Sequence, residues 1–299
     1  MSMSTSLTTT PGDPASARWR ARTATLALSV LVAAGLTLTA DATAQAATGD
    51  TVCPSSSCLS VAQGLGEPLT AVPDGHGSAY VPFQTGELRK VDLTSGVSTS
   101  VATGLGNLRG AALDGKGSAY VTNFDGALVK VDLATGAHTT LAGGLGSLFA
   151  VARSTDSTYV TDAQGDLIQV KDGQSPHVVS NDIGFSEGIA LDGGGSAYTA
   201  DMMTGRILRT DLSTGATTTL SNENYEPQSI SIGPDGLVYF EVGDEVIRLD
   251  PATGQTSHVT NIVGLNSGTF TTTANGDAYA VAYNSNGSIW KIAGLAGPH

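Results

Sequence analysis

The stretch GSAYV at residues 77–81 recurs unchanged at residues 117–121, and looser copies continue along the chain. Each copy carries one tyrosine, and successive tyrosines are 39 to 41 residues apart. The six are Tyr80, Tyr120, Tyr159, Tyr198, Tyr239 and Tyr279. A regular period of this length is typical of solenoids, propellers and other repeat architectures. The sequence therefore predicts six copies of one structural unit.

The second copy, residues 104–143, reads GLGNLRGAALDGKGSAYVTNFDGALVKVDLATGAHTTLAG. Its strand-favouring runs are separated by the turns DGKG, DG and ATG, and such turns between alternating apolar residues indicate hairpins. Each copy is therefore expected to form a four-stranded meander. The Tyr and Val of GSAYV fall on its second strand, where they would fill the space between adjacent sheets. About forty residues in four strands describe a propeller blade.

The two ends of the repeat region complete this interpretation. The sixth copy ends after its third strand, GSIWKIAGL, whereas LSVAQGLG at residues 59–66 has the shape of the fourth strands of earlier copies. A strand from the N-terminal side would complete the last blade and leave few free sheet edges. We therefore predict an all-β fold over residues 58–299. The predicted fold is a six-bladed β-propeller of four-stranded antiparallel blades, closed by an N-terminal strand.

Residues 1–46 have the features of a secretory signal peptide. Arg18, Arg20 and Arg22 precede an apolar run of about 16 residues, and Ala-Gln-Ala at 44–46 matches the small residues that a signal peptidase cuts after. The run is shorter than the roughly 20 residues that a membrane-spanning helix needs, which disfavours the alternative of a retained anchor. We expect cleavage near Ala46 and a secreted, extracellular protein.

The chain has two cysteines, Cys53 and Cys58, at the start of the expected mature protein. In an exported protein, two cysteines this close are expected to form a disulfide, here in an N-terminal segment at residues 47–57 that leads into the propeller. Two thiolates without nearby histidines fall short of the four ligands of a structural zinc site.

The charge balance restricts the partners. Loss of the leader would remove three arginines and two aspartates from 14 basic and 27 acidic residues, leaving 11 basic and 25 acidic. Phosphate binding needs clustered Lys and Arg, so nucleic acid and an anionic membrane surface are disfavoured. A protein, a glycan or a small molecule remains as the partner. Nothing in the sequence indicates oligomerisation, and a monomer is expected.

An aspartate recurs before a tight Gly-containing turn in the repeats. These aspartates are Asp92, Asp132, Asp211 and Asp250. An Asp side chain in such a turn can accept hydrogen bonds from backbone amides two and three residues later. Turn formation is favoured over calcium binding for these four residues.

The first strand of each propeller blade lines the central channel, so residues near its start form a ring at one mouth. Alignment on the tyrosines gives one ring of Leu69, Arg109, Phe149, Glu187, Gln228 and Gly268. Two places earlier lie Glu67, Asn107, Ser147, Phe185, Glu226 and Asn266. A third ring, at the end of the second strand, contains Phe83, Asn123, Asp162, Asp201, Val242 and Ala282.

These positions differ between copies where the rest of the repeat agrees, and a funnel of mixed polar and apolar groups is the default place for a ligand. The ligand-binding candidates are Asn107, Arg109, Asn123, Asp162, Glu187, Asp201, Glu226 and Gln228. The alternative is that the ring plugs the channel, with the charges of Arg109 and Glu187 offsetting each other.

The repeat resembles the NHL-type repeat and the gluconolactonase (senescence-marker protein) and strictosidine-synthase-like six-bladed propellers. It is also similar to uncharacterised secreted propellers of actinobacteria. The resemblance implies a divalent metal, commonly calcium, held on the channel axis by Glu, Asn and Asp side chains, which would polarise a lactone carbonyl and activate water. Only Glu187, in SEGIAL, matches that pattern. The similar streptogramin lyases use a His that has no counterpart at the channel mouth here.

Two functions follow. The first is a secreted binding or scaffold propeller that engages a protein, glycan or small ligand through its channel mouth or faces, with no cofactor. The alternative is a metal-dependent hydrolase or lyase acting on a small lactone or ester, with Glu187 as the candidate catalytic residue. Its candidate ligands for calcium are Glu187, Asp201 and Asp162.

Overall fold

The computed structural model of the protein describes residues 58–222, 224–262, 269–282 and 287–297. These residues form 24 strands and no helix. The described part of the chain accordingly contains no helix long and apolar enough to cross a membrane. The strands make six four-stranded antiparallel sheets, and the first strands of successive sheets contact one another. The predicted all-β, six-bladed propeller is confirmed.

The strands follow one another through the blades in chain order. The strand that precedes the first blade is β1 (Cys58–Ala62). Blade 1 contains β2 (Val72–Pro73), β3 (Ser78–Phe83), β4 (Glu87–Asp92) and β5 (Ser98–Ala102). Blade 2 contains β6 (Leu108–Leu113), β7 (Ser118–Asn123), β8 (Leu128–Asp132) and β9 (His138–Ala142). Blade 3 contains β10 (Leu148–Arg153), β11 (Ser157–Asp162), β12 (Leu167–Lys171) and β13 (His177–Ser180).

The second half of the ring has the same composition. Blade 4 contains β14 (Ser186–Leu191), β15 (Ser196–Asp201), β16 (Arg206–Asp211) and β17 (Thr217–Ser221). Blade 5 contains β18 (Pro227–Ile232), β19 (Val238–Val242), β20 (Glu245–Leu249) and β21 (Thr256–Asn261). Blade 6 contains β22 (Thr269–Thr272), β23 (Ala278–Ala282) and β24 (Ser288–Ile292).

The N-terminal strand closes the ring. Strand β1 pairs antiparallel with β24, so that Cys58 lies opposite Ile292 and Ser60 opposite Trp290. The sheet order β1-β24-β23-β22 makes β1 the outer strand of blade 6. The predicted closure is confirmed, and it ties the two ends of the repeat region together through backbone hydrogen bonds.

The apolar core is divided among the seams between blades. Six clusters of buried side chains are found, and each joins two neighbouring blades. The repeated tyrosines lie in these seams: Tyr120 of blade 2 packs with Leu148 and Val160 of blade 3. Tyr239 of blade 5 likewise packs with Phe270 of blade 6. This placement explains why the tyrosine recurs in every copy.

The repeated aspartates build turns, as predicted. Asp92 Oδ1 accepts hydrogen bonds from the amides of Thr94 and Ser95 at 3.0 and 2.7 Å. Asp132, Asp211 and Asp250 accept amide bonds in the equivalent turns. Hydrogen bonds from the Ser213 hydroxyl and from turn amides lower the pKa of Asp211 to about 2, because they favour the ionised form.

The predicted signal peptide, residues 1–46, lies outside the described residues. So does Cys53, while Cys58 is the first residue of β1. Cleavage, secretion and the Cys53–Cys58 pairing therefore stay predictions.

Candidate functional site

A cavity of about 350 Å³ occupies the central channel. The first strands of all six blades line it, from Thr70 and Val72 in blade 1 round to Thr269 and Phe270 in blade 6. Most of the wall consists of small or aliphatic residues. Arg109, Arg153 and Glu187 are its charged members among the described residues. A partly open channel with few polar groups has the form of a small-ligand site.

Arg109 and Glu187 reach the channel because each lies in a β-bulge. The pairing of β6 with β7 shifts between Leu108 and Gly110, and that of β14 with β15 shifts between Ser186 and Ile189. A bulge rotates the side chain of its extra residue away from regular strand alternation. Both ring residues are thereby placed in the channel wall, where the repeat alignment predicted them.

A glycine follows each of these two residues and lets neighbouring blades approach closely. A Cβ at Gly110 would lie 2.8 Å from the carbonyl oxygen of Phe149, and one at Gly188 would lie 2.9 Å from that of Gln228. Both distances are shorter than an ordinary contact, so a larger residue would push the blades apart. The glycines fix how near the first strands lie to the axis.

A buried threonine hydroxyl links blade 2 to blade 3 by hydrogen bonds beside Gly110. Thr122 Oγ1 accepts a hydrogen bond from the Gly110 amide at 3.0 Å and donates one to the Phe149 carbonyl at 2.7 Å. Thr161 repeats the arrangement in blade 3, with the Ala150 amide and the Ser186 carbonyl. These bonds satisfy the backbone groups that the bulges leave unpaired.

Arg109 lies among three phenylalanines at the mouth. Its guanidinium carbon is 4.8 Å from the ring centroid of Phe124 and 6.0 Å from that of Phe149. Phe149 contacts Phe124 and Phe185 edge to face, with centroids 5.7 and 4.8 Å apart. Nε of Arg109 is buried and has no hydrogen-bond partner in the described part of the chain. The guanidinium is therefore held by aromatic faces, and its hydrogen-bonding capacity is only partly used.

Glu187 faces the same channel two blades away. Its side chain is open to water in the channel, but the surrounding wall removes much of the bulk solvent, and this desolvation raises the pKa of Glu187. The positive charge of Arg109 acts in the opposite direction and lowers it. The ion pairs of the described residues do not include Arg109 with Glu187. The two opposite charges share one cavity without a direct salt bridge.

The described members of the second predicted ring are not among the residues that line the cavity, and Asn266 lies outside the described residues. The side-chain Oδ1 of Asn107 is buried and has no hydrogen-bond partner among the described residues. The backbone carbonyl of Asn107 accepts a hydrogen bond from the Phe124 amide at 2.8 Å. Glu226 is exposed just before β18, with a φ of 47° in the left-handed region. Gln228 belongs to the first predicted ring and is half-buried in the bulge of β18, with its backbone carbonyl close to Gly188. It does not line the cavity, and Gly268 of the same ring lies outside the described residues. The roles of Asn107, Glu226 and Gln228 in ligand binding stay predictions.

The polar members of the third ring are engaged in turns between the second and third strands. Asn123 Oδ1 accepts the Ala127 amide at 2.8 Å, and Asp162 Oδ1 accepts the amides of Gln164 and Asp166 at 2.9 and 2.8 Å. The side chains of Asn123 and Asp162 are both buried. The structure thus gives Asn123 and Asp162 local partners that stabilise the mouth loops.

Asp201 is the most heavily bonded residue of this ring. Its carboxylate accepts hydrogen bonds from the Phe185 amide at 3.2 Å and from the Thr204 hydroxyl. It also forms a salt bridge with Arg206 at 3.0 Å. Burial acts to raise its pKa, but the Thr204 hydroxyl and the Arg206 guanidinium outweigh it, so the pKa of Asp201 is lowered. The carboxylate of Asp201 is ionised, and its negative charge is compensated by the Arg206 guanidinium.

The structure does not assemble Glu187, Asp162 and Asp201 as a ligand set. No group of three or more His, Cys, Asp or Glu side chains in the described ranges is placed to hold a metal ion. Glu187 lies in the channel wall, whereas the carboxylates of Asp162 and Asp201 are directed into turns. Of the three predicted calcium ligands, only Glu187 faces the channel.

Glu241, on β19, was not singled out by the sequence analysis. Its side chain is fully buried, and neither carboxylate oxygen has a hydrogen-bond partner among the described residues. Burial, with a smaller contribution from the negative charge of Asp244, raises its pKa to about 9. Aligned on the tyrosines, it occupies the position of Pro82, Thr122, Thr161, Ala200 and Val281, and a carboxylate where no other copy has a charged residue was the available signal.

Comparisons with known proteins identify the fold. No family model and no curated protein matches the chain. Among solved structures, streptogramin B lyase is similar at 13% identity and a TM-score of 0.62, covering 78% of this chain and 96% of that one. A Bacteroides thetaiotaomicron protein of unknown function is 14% identical with a TM-score of 0.65, covering 78% and 74%.

A chain of the nidogen/laminin complex is similar at 16% identity and a TM-score of 0.58, covering 68% of this chain and 90% of that one. These proteins differ widely in what they are described as doing. At such identities the likeness concerns architecture and not activity. The comparisons therefore show that this chain has the β-propeller fold.

Proposed function

We propose that the protein is a secreted binding propeller whose ligand enters the central channel at the mouth formed by Arg109, Glu187 and Phe124. One observation carries the proposal: Arg109 and Glu187 line one cavity without pairing, and the Nε of Arg109 is free of partners among the described residues. Secretion rests on the leader-like sequence of residues 1–46. Action as a monomer rests on the sequence as well.

The energetics of the mouth support a binding role. A partly desolvated charge without a partner is unfavourable, and an incoming group of opposite charge relieves that cost. Guanidinium groups suit carboxylate and phosphate because they offer paired donors in a fixed plane. The cavity of about 350 Å³ falls within the range of small-ligand sites.

The metal-dependent hydrolase or lyase has less support. It needs several oxygen ligands around one cation. Asp162 and Asp201 are committed to the turns that they stabilise, so Glu187 is the only predicted ligand directed to the axis. The guanidinium of Arg109 acts electrostatically on Glu187 and would oppose a cation there. Similarity to streptogramin B lyase adds the fold alone.

A fluorescent aromatic anion, 8-anilinonaphthalene-1-sulfonate, tests the proposal. We expect the dye to bind with enhanced emission, because its sulfonate would meet Arg109 and its rings would meet Phe124. Arg109→Met should weaken binding about tenfold or more, equivalent to about 1.4 kcal/mol. The matched control is Arg209→Met on β16, where the guanidinium bonds Ser196 on a blade sheet. Equal affinity of both variants and the wild type would reject the channel mouth as the binding site.

A further inference from the structure

The channel mouth orders three chemically different groups over three consecutive blades. Arg109 of blade 2, Phe149 of blade 3 and Glu187 of blade 4 occupy one aligned position near the start of β6, β10 and β14. Half of the ring thus carries a cation, an aromatic ring that is 9% exposed and an anion in sequence. The described members of the other half, Leu69 and Gln228, carry no charge.

Close contacts between blades set the backbone positions of the two charged residues. Arg109 is set in a bulge whose following residue, Gly110, bonds Thr122, and Thr122 bonds the carbonyl of Phe149. Beside Glu187, Gly188 lies close to the backbone of blade 5, where a Cβ would be 2.9 Å from the Gln228 carbonyl oxygen. These close approaches set the backbone positions from which the two charged side chains enter the channel.

An apolar surface lies beside Arg109 and continues along the channel wall. Phe149 is flanked by Phe124 and Phe185, and the wall deeper in the channel includes Ala150, Ile230 and Phe270. Phe124 is 38% exposed, so part of this aromatic surface is open to solvent. Apolar surface of this kind contributes about 25 cal/mol per Å² when a ligand covers it.

The two charges restrict which ligands fit. An anion alone would satisfy Arg109, but it would enter the field of Glu187, which is unfavourable for a like charge. A cation alone would meet the same obstacle at Arg109. A ligand with both charges can pair with Arg109 and with Glu187 at once. Each charged group that is removed from water on binding then gains a partner of opposite charge.

Building on the proposed function, we propose that the ligand is a small zwitterion with an apolar body. Its carboxylate pairs with Arg109, its ammonium group pairs with Glu187 and its apolar part rests on the exposed surface of Phe124. A free dipeptide with an aromatic side chain has this combination of groups.

Three matched probes test the inference on the unaltered protein by isothermal titration calorimetry. They are glycyl-phenylalanine, glycyl-phenylalaninamide, which lacks the carboxylate, and N-acetylglycyl-phenylalanine, which lacks the ammonium group. We expect the free dipeptide to bind at least about tenfold more tightly than either analogue, since each lost charge removes one charge-assisted pair. Absence of measurable dipeptide binding, or equal affinities for the three probes, would overturn the inference.

Two variants assign the charges. Arg109→Met should remove the preference for the acid over the amide, and Glu187→Gln should remove the preference for the free amine over the acetylated form. Preferences that persist in folded variants would overturn the assignment. Failure of these probes while the anionic dye still depends on Arg109 would reject the zwitterion and keep a channel-mouth binding site. Independence of the dye from Arg109 would reject the binding site itself.

Discussion

Glu241→Gln is expected to stabilise the propeller at neutral pH. Glu241 is fully buried on β19, its carboxylate oxygens lack partners among the described residues, and its pKa is raised to about 9. At pH 7 the folded protein therefore holds this carboxyl in its neutral form. The unfolded chain ionises it freely, because its ordinary pKa is 4.5. Glutamine keeps the size of the side chain and cannot ionise.

The magnitude follows from proton linkage. A carboxyl with a raised pKa in the folded state makes the folded state bind the additional proton, so stability falls as pH rises from the unfolded to the folded pKa. Each pH unit is worth 1.36 kcal/mol. Between an unfolded pKa of 4.5 and pH 7, the ionisable side chain costs about 3 kcal/mol of stability. The variant is expected to regain up to that amount at pH 7 and little at pH 4.

Urea unfolding followed by circular dichroism, at pH 4 and pH 7, measures the effect. The shift in midpoint at constant slope reports the change in the free energy of unfolding. Glu245→Gln is the matched control, because Glu245 starts the adjacent strand β20 and is exposed. Its substitution should have little effect at either pH. The difference between each variant and the wild type cancels the contribution of all other carboxyl groups.

The pH dependence of the Glu241→Gln effect distinguishes a raised pKa from a simple change in packing. A Glu241→Gln variant that changes stability equally at pH 4 and pH 7 would refute the raised pKa. So would a variant that is destabilised at pH 7. A gain at pH 7 that vanishes at pH 4 identifies Glu241 as a buried neutral acid that costs the fold stability at neutral pH.

Three further predictions concern the channel wall. Gly110→Ala should destabilise the protein by about 1–3 kcal/mol in thermal or urea unfolding, because its Cβ would lie 2.8 Å from the Phe149 carbonyl. Gly143→Ala, whose Cβ meets open space, should be near neutral, and equal effects would contradict the close-approach argument. Thr122→Val should cost about 1–3 kcal/mol by leaving buried backbone groups unpaired, whereas Thr122→Ser should retain most of the stability; a neutral valine variant would argue against the hydroxyl bridge. Dialysis against EDTA should leave the melting temperature unchanged, since a bound metal would stabilise the folded state. A fall that calcium restores, with about one metal per chain by elemental mass spectrometry, would instead support the hydrolase.

The repeat made the fold predictable from sequence. The spacing of the six tyrosines determined the number of blades, because each tyrosine fills one seam and a seam occurs once per blade. The unmatched strand at residues 59–66 likewise indicated how the ring closes, and β1 pairs with β24 as expected. Both inferences depend on the local pattern of strands and turns within one copy. Because the chain repeats this pattern six times, the pattern identifies each strand's place in its blade.

The candidate site was only partly predictable. Alignment placed Arg109 and Glu187 at the channel, where the structure has them. It also nominated Asn123, Asp162 and Asp201, whose side chains bond the amides of adjacent turns. Position along a strand does not specify whether a polar side chain is directed to the axis or bonds a neighbouring loop. That choice depends on which amides the turn leaves free.

The sequence by itself therefore determined the blade and the number of blades, because one tyrosine and four strand-favouring runs recur in every copy. The unmatched strand at residues 59–66 determined how the ring closes. Tertiary structure alone decided that Arg109 and Glu187 share a cavity without pairing, since their separation depends on bulges and on the approach of blades at Gly110 and Gly188. It also decided that Glu241 is buried with no hydrogen-bond partner in the part of the chain that the structure describes. These features arise between blades, from contacts that no single copy of the repeat contains.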